Sequence, residues 1–277
     1  MPTTPPPKKR RNPGQPVADA KVQSSLDAFA RQLRGQKHNA VTVDHPLKEM
    51  PWCKKFAAKF RNVLTPKECE FLIRVSETAG YEQALVNIGG GRQKLMTDYR
   101  NSHRVMIDSA ALGSAIFSKI RDHLRKLLAE KEFFPPNIGT AYEFNERLRF
   151  LRYTGGEFFE QHMDGCYMRP RHHPKAGDRS ALTVLLYLNQ GYDGATRIFN
   201  TSYRMGNQEE HESFHDVEPE TGMMFVHDHR LLHSGQPITN GTKYVIRTDI
   251  MFTTSDKRLQ AEDGKRPEGA GGAKKSQ

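Results

Sequence analysis

Apolar residues along this chain recur first at helical and then at strand spacing, with the change near Arg147. Thr65-Pro66-Lys67-Glu68 has the form of a capping box with Pro at the first helical position. A helix is predicted to start there and end near Gly80, with Cys69, Leu72, Ile73 and Val75 on its apolar face and Phe71 beside them. Ser109 caps a second predicted helix, in which Leu112, Ile116, Ile120, Leu124 and Leu127 or Leu128 fall at helical spacing. From Arg147 the signal becomes short β-type runs: residues 148–153, 158–163, 182–189, 196–200, 222–226 and 243–252. Many short strands between polar, Gly-containing turns predict a barrel or jelly roll. Helices first and strands afterwards give an α+β class, with the helices packed on the outside of the β core.

The two ends read differently. Residues 1–40 are rich in Pro, Gln, Lys and Arg, and are expected to form a disordered basic tail. Residues 256–277 read as a second flexible tail, which leaves one domain over 41–255 with its β core at about 147–253. No apolar run approaches the roughly 18–20 residues that a membrane helix needs, so no membrane partner is expected. The first fourteen residues lack the apolar stretch of a secretory signal. Cys53, Cys69 and Cys166 are widely spaced and give neither a disulfide framework nor a zinc-type pair. An intracellular protein of the cytoplasm or nucleus is expected.

The net charge of +10 changes meaning once it is located. Residues 1–40 carry +6, residues 256–277 carry +2, and the 215 residues between them only +2. Basicity in the tails argues for targeting, or for weak association with nucleic acid, more than for a basic groove on the folded body. The run Lys8-Lys9-Arg10-Arg11 has the density of a nuclear import signal; a solvated basic tail is the plainer reading.

One His-x-Asp occurs, His162-Met163-Asp164, closing the predicted strand 158–163. Period-two alternation puts His162 and Asp164 on one face, where both can grip one metal ion. A third ligand is available in His233, beyond the strand 222–226 and next to a turn at Gly235. Two His and one carboxylate on one face of an octahedron leave three positions open, the facial triad of non-haem Fe(II) oxygenases. Lys243 begins the last strand, and alternation turns Lys243, Val245 and Arg247 to one side. An inward cation is costly unless it meets an anion, so Lys243 or Arg247 is expected to hold a carboxylate. The bland alternative is a rim charge paired with Asp249 or Glu220. Residues 165–179, with Arg169, Arg171, His172, His173 and Arg179, follow the metal motif directly and read as a substrate-facing loop or a solvated one.

These residues also carry a resemblance. Arg152-Tyr153-Thr154-Gly155-Gly156-Glu157 through His162-Met163-Asp164 is similar to the prolyl 4-hydroxylase branch of the Fe(II)/2-oxoglutarate dioxygenases. So are Arg179 to Asn189, Asp193-Gly194-Ala195-Thr196, and His233-Ser234-Gly235-Gln236-Pro237 to Gly241-Thr242-Lys243-Tyr244. The resemblance implies a double-stranded β-helix with supporting N-terminal helices. It implies iron on His162, Asp164 and His233, and Lys243 on the distal carboxylate of 2-oxoglutarate, with Tyr153 and Thr183 hydrogen-bonding that cosubstrate. Two departures stand out: Asp193-Gly194 replaces a glycine pair, and Arg247 adds a second inward cation. The implied activity is hydroxylation of a prolyl or other residue in a protein or peptide, or of a small molecule, with Fe(II), 2-oxoglutarate and ascorbate as reductant. A nucleic-acid demethylase and a non-catalytic binding module of the same fold are the rival readings.

Overall fold

The computed structural model describes residues 15–35, 40–44, 55–89, 92–130, 138–200 and 214–254. The helical part runs α1 (Ala20–Gly35), β1 (Thr42–Asp44), β2 (Ala57–Arg61), α2 (Pro66–Ala79), β3 (Glu82–Gln83), β4 (Val86–Asn87), β5 (Gln93–Lys94), β6 (His103–Asp108) and α3 (Ala110–Glu130). The strand-rich part runs β7 (Thr140–Phe144), β8 (Arg147–Thr154), β9 (Phe159–His162), β10 (Arg179–Tyr187), β11 (Thr196–Phe199), β12 (Phe214–Val217), β13 (Met224–Asp228), β14 (His233–Gly235) and β15 (Thr242–Thr253). A major antiparallel sheet is ordered β1-β2-β13-β10-β15-β8-β6-β3, with β7 also on β15, and a minor sheet β12-β11-β14-β9. Their inner faces share one apolar cluster, including Leu185 and Phe225 of the major sheet and Ile198 and Val217 of the minor sheet. This is the double-stranded β-helix.

The outer face of the major sheet carries the helices. Alternation along β8 sends Leu148 and Phe150 out to the helices, and Leu151 and Tyr153 inward. Strand β10 is apolar almost throughout because both of its faces are covered. The predicted cap of α2 is present: the Thr65 amide donates to the Glu68 carboxylate at 2.7 Å, and the Glu68 amide to the Thr65 hydroxyl at 3.3 Å. Ser109 caps α3 by accepting from the Leu112 amide at 3.3 Å, and Leu112, Ile116, Ile120 and Leu124 are buried.

The expectation of a disordered tail over 1–40 is corrected at residues 20–35. They form α1, and Val22, Leu26, Phe29, Ala30 and Leu33 are buried against the other helices. Those five lie on one face at helical spacing, a stripe that composition averaged over forty residues conceals. Phe29 stacks on Phe71 of α2 at 4.5 Å between ring centroids. The basic run at 8–11 and the C-terminal segment from 256 lie outside the described residues. Strands β2, β6 and β7 were not foreseen; β2 and β6 widen the major sheet on its two sides, and β7 pairs with the far part of β15.

Leu26 is fully buried. Truncation to Ala is expected to cost about 2–5 kcal/mol of unfolding free energy. Urea denaturation followed by circular dichroism measures this, and a loss under about 0.5 kcal/mol would mean that α1 is not part of the core.

Candidate active site

The site lies between the two sheets. Within the minor sheet β9 and β14 pair antiparallel so that His162 and His233 face each other across the ladder. Asp164 follows β9 and is fixed by its amide, which donates to the His229 carbonyl at 2.9 Å. One ligand atom from each of His162, Asp164 and His233 falls within 4.8 Å of the others. Both imidazoles are oriented by their Nδ1 atoms, which donate to the carbonyls of Glu160 (2.7 Å) and Leu231 (2.9 Å) and leave Nε2 to face the cluster. Burial, and then the neighbouring His233, pushes His162 down to about 3, which keeps its ring neutral and available as a ligand.

The carboxylate is held as firmly. Burial alone would raise the Asp164 pKa, but Arg247 above all, followed by His233 and His162, holds it well below the usual carboxylate range. Arg247 Nη2 stands 3.0 Å from Asp164 Oδ1 and 3.0 Å from Asp249 Oδ1. The Thr183 hydroxyl donates to Asp164 Oδ2 at 2.5 Å and lies 2.8 Å from His229 Nδ1, whose ring is anchored in turn by Ser180. Asp164 therefore presents an ionised, oriented oxygen beside two imidazole nitrogens. That donor set suits a divalent transition metal such as Fe(II).

Lys243 occupies a different part of the same cavity. Its ladder partner on β8 is Tyr153, and its Nζ lies 5.7–5.9 Å from the ring centres of Tyr153, Tyr187 and Tyr192. The ammonium donates to the Gly194 carbonyl at 2.9 Å, and no carboxylate lies within ion-pair distance among the described residues. Burial pushes it down to about 7, with only the distant Glu218 opposing. The Asp193-Gly194 turn that departs from the usual glycine pair has a clear local logic. Asp193 accepts from the backbone amides of Thr239 and Asn240 at 2.8 Å each. Gly194 has φ +98°, and a Cβ there would collide with Ile238 and stand 2.9 Å from the Gln236 carbonyl.

Inward alternation on β15 brings Lys243, Val245, Arg247 and Asp249 into one cavity of about 510 Å³ with the His-Asp-His cluster and Tyr153. Other expectations are corrected. Thr183 is committed to Asp164 and His229 and does not line the cavity, so it braces the metal carboxylate where a cosubstrate contact was expected. Arg247 is occupied by two carboxylates, which leaves Lys243, of the two β15 cations, without a counter-charge. Arg169 is buried in ion pairs with Glu143 (2.8 Å) and Glu146 (2.9 Å), which pin the 165–179 loop. Arg171 is exposed, and neither it nor Arg179 reaches the cavity. Sequence reasoning passed over Arg100, Arg104 and Arg149, which do line it. Arg104 and Arg149 were legible only once β6 and β8 were known to neighbour β15 in the sheet.

Comparison with known proteins bears on the same segment. Residues 148–248 match the family model described as the 2OG-Fe(II) oxygenase superfamily. Probable prolyl 4-hydroxylase 3 of Arabidopsis thaliana is 26% identical over 140 residues, 50% of this chain and 44% of that protein. Prolyl 4-hydroxylase 5 of the same plant is 27% identical over 143 residues, 52% and 44% of the two chains. The chain thus spans less than half the length of these curated relatives. The solved viral collagen prolyl hydroxylase of Paramecium bursaria Chlorella virus-1, in its 2OG complex, aligns at a TM-score of 0.46 and 20% identity, covering 71% of this chain and 96% of that one. The likeness to the 2OG-Fe(II) oxygenase superfamily is thus carried by residues 148–248, and the likeness to prolyl 4-hydroxylases by relatives 26% and 27% identical over half of the chain.

Proposed function

We propose that this chain is an Fe(II)- and 2-oxoglutarate-dependent dioxygenase that hydroxylates a prolyl or other residue of a protein or peptide. The observation that carries this reading is a pair of features sharing one cavity: three convergent metal-type ligands, and a buried lysine with no carboxylate of its own. A two-carboxylate cosubstrate answers both features, with one end at the metal and the other at Lys243. When bound, Fe(II) and 2-oxoglutarate supply the oxygen-activating chemistry, with release of succinate and CO2. The chain's own part is to hold two oriented imidazoles and one ionised carboxylate, to bind a distal carboxylate, and to exclude water. The rings of Tyr153, Tyr187 and Tyr192 do the last around Lys243. The plant relatives are named prolyl 4-hydroxylases, which favours a prolyl target over the nucleic-acid demethylase and the non-catalytic module. Ascorbate as the reductant, cytoplasmic or nuclear location, and weak nucleic-acid association through the basic termini belong to the same proposal.

The test is turnover of labelled 2-oxoglutarate by the full chain with Fe(II), read as CO2 release with and without proline-containing peptides. No turnover under any condition would sink the dioxygenase reading.

Metal binding gives a separate check. The full chain should take up one Fe(II), His162→Ala and His233→Ala should lose it, and Thr183→Val should weaken it by about ten- to a hundredfold through the misplaced carboxylate. Iron titration under anaerobic conditions measures all three, and wild-type iron content in both His variants would remove the cluster from consideration.

Lys243 makes a prediction in pH. The ammonium, lowered to about 7 by burial, binds a carboxylate only when protonated. A bound carboxylate raises its pKa again. Affinity for 2-oxoglutarate should therefore be full below about pH 7 and fall by up to about tenfold per pH unit above it. Lys243→Ala should abolish that slope and raise the KM for 2-oxoglutarate by about a hundred- to a few-thousandfold. Arg247→Ala should leave the slope in place.

A further inference from the structure

The cavity holds more positive charge than the proposed reaction uses. Five basic side chains line it (Arg100, Arg104, Arg149, Lys243 and Arg247) against the two carboxylates Asp164 and Asp249, a surplus of three positive charges with the histidines neutral. Fe(II) and a dianionic cosubstrate cancel one another and leave that surplus standing. Lys243 and Arg247 are accounted for by the cosubstrate and by the two aspartates. Arg149 shares Asp249 at 3.4 Å with Arg247, which stands directly opposite it across the β8–β15 ladder.

Arg100 and Arg104 have no ion pair, and feel only the longer-range charges of Asp164 and Glu82 respectively. Both are more than nine-tenths buried, and among the described residues no carboxylate lies within ion-pair distance of either. Arg100 Nε donates to the Ser102 hydroxyl at 3.0 Å, and its guanidinium lies over the Phe159 ring. Arg104 Nη2 donates to Gln93 at 3.0 Å, while its Nε is buried without any hydrogen-bond partner. Burial first, and then Arg100 and Arg149, pushes Arg104 down to about 10, against the weaker opposing pull of Glu82. Chains tolerate such an arrangement where an anion completes it.

The mouth of the cavity has the opposite character. Of the seven large apolar side chains exposed among the described residues, six lie on two stretches that also supply cavity-lining residues: Ile88, Leu95, Met96, Met163, Tyr167 and Met168. Met163 and Tyr167 line the cavity themselves, and Ile88 lies between the lining residues Asn87 and Gly89 on the β4–β5 hairpin. An exposed apolar collar of this kind marks a contact surface.

We propose that the residue oxidised belongs to a peptide segment with an acidic side chain close by, which enters the cavity to meet Arg104, Arg100 and Arg149 while its apolar neighbours rest on the collar. This rests on the dioxygenase reading and narrows it to one substrate class. Bidentate guanidinium–carboxylate bonding supplies the selectivity, and Arg104 has the free donor.

The test uses the iron-loaded full chain and peptide pools of about ten residues, degenerate at the central residue and including proline. The flanking positions carry Asp and Glu in one pool, Asn and Gln in another, and Lys and Arg in a third. Mass spectrometry counts peptides that gain one oxygen. The acidic pool should exceed the amide pool in kcat/KM by about ten- to a hundredfold, an advantage that shrinks with added salt. Arg104→Gln should level the two pools, and Arg104→Glu should move the preference to the basic pool, a gain that misfolding cannot imitate. Equal use of all pools by the wild type, or an unchanged acidic preference in Arg104→Glu, would overturn the inference. So would oxidation of small dicarboxylates or phosphorylated small molecules with no peptide product. Absence of 2-oxoglutarate turnover altogether is the distinct failure of the dioxygenase reading, and this inference would fall with it.

Discussion

Arg247 is the constraint on which the site depends. Its guanidinium lies between Asp164 and Asp249, 3.0 Å from each, in a place where neither carboxylate has bulk water to sustain its charge. Two bare carboxylates there would repel and one would take up a proton; a protonated Asp164 is a poor metal ligand. The same bridge settles a conflict on the ladder. Arg149 and Arg247 are directly opposed, an arrangement that costs stability unless an anion stands between them, and Asp249 does. Metal geometry, the charge of the floor and the register of β8 on β15 are thus one electrostatic problem with one solution.

The second organising element is alternation along a few strands. On β8 and β15 one set of side chains faces the helices and the other faces the chemistry, so a core position and a site position are always one residue apart. Ile246 packs among the helices while its neighbours Val245 and Arg247 line the cavity. A slip of one residue would exchange the two sets and put guanidinium groups into the apolar core. The buried cations therefore act as a penalty on misregister as well as on an empty site.

How much of this could be read in the sequence followed the range of the interactions. The Thr65–Glu68 cap, the α3 stripe and the alternation of β15 are local, and each stands in the structure where it was expected. The His162-x-Asp164 spacing was visible because two residues suffice to define it. Its meeting with His233, argued from a place beyond the strand 222–226 and beside the turn at Gly235, appears as a ladder pair. Misplaced expectations depended on remote partners. Thr183 lies on the strand foreseen, yet its hydroxyl is claimed by Asp164 and His229. Arg169 sits in the loop foreseen, but Glu143 and Glu146 take it inward. Residues 20–35 were lost for another reason: a narrow apolar stripe in a stretch of mostly polar residues looks like a tail until the helices it packs against are known.

Strand β15 has a consequence for how the protein is made. It is the longest strand described, it pairs with β10, β8 and β7, and it carries Lys243, Arg247 and Asp249. It is also the last of the described strands in chain order. During synthesis β8 and β10 leave the ribosome with facing edges that have nothing to pair with until residues 242–253 follow. For that interval the nascent barrel is open along its middle, with apolar edges for a chaperone to shield. The pocket has no existence before that moment: a translation product stopped at residue 240 would keep His162, Asp164 and His233 in its sequence and have no chamber to hold them in.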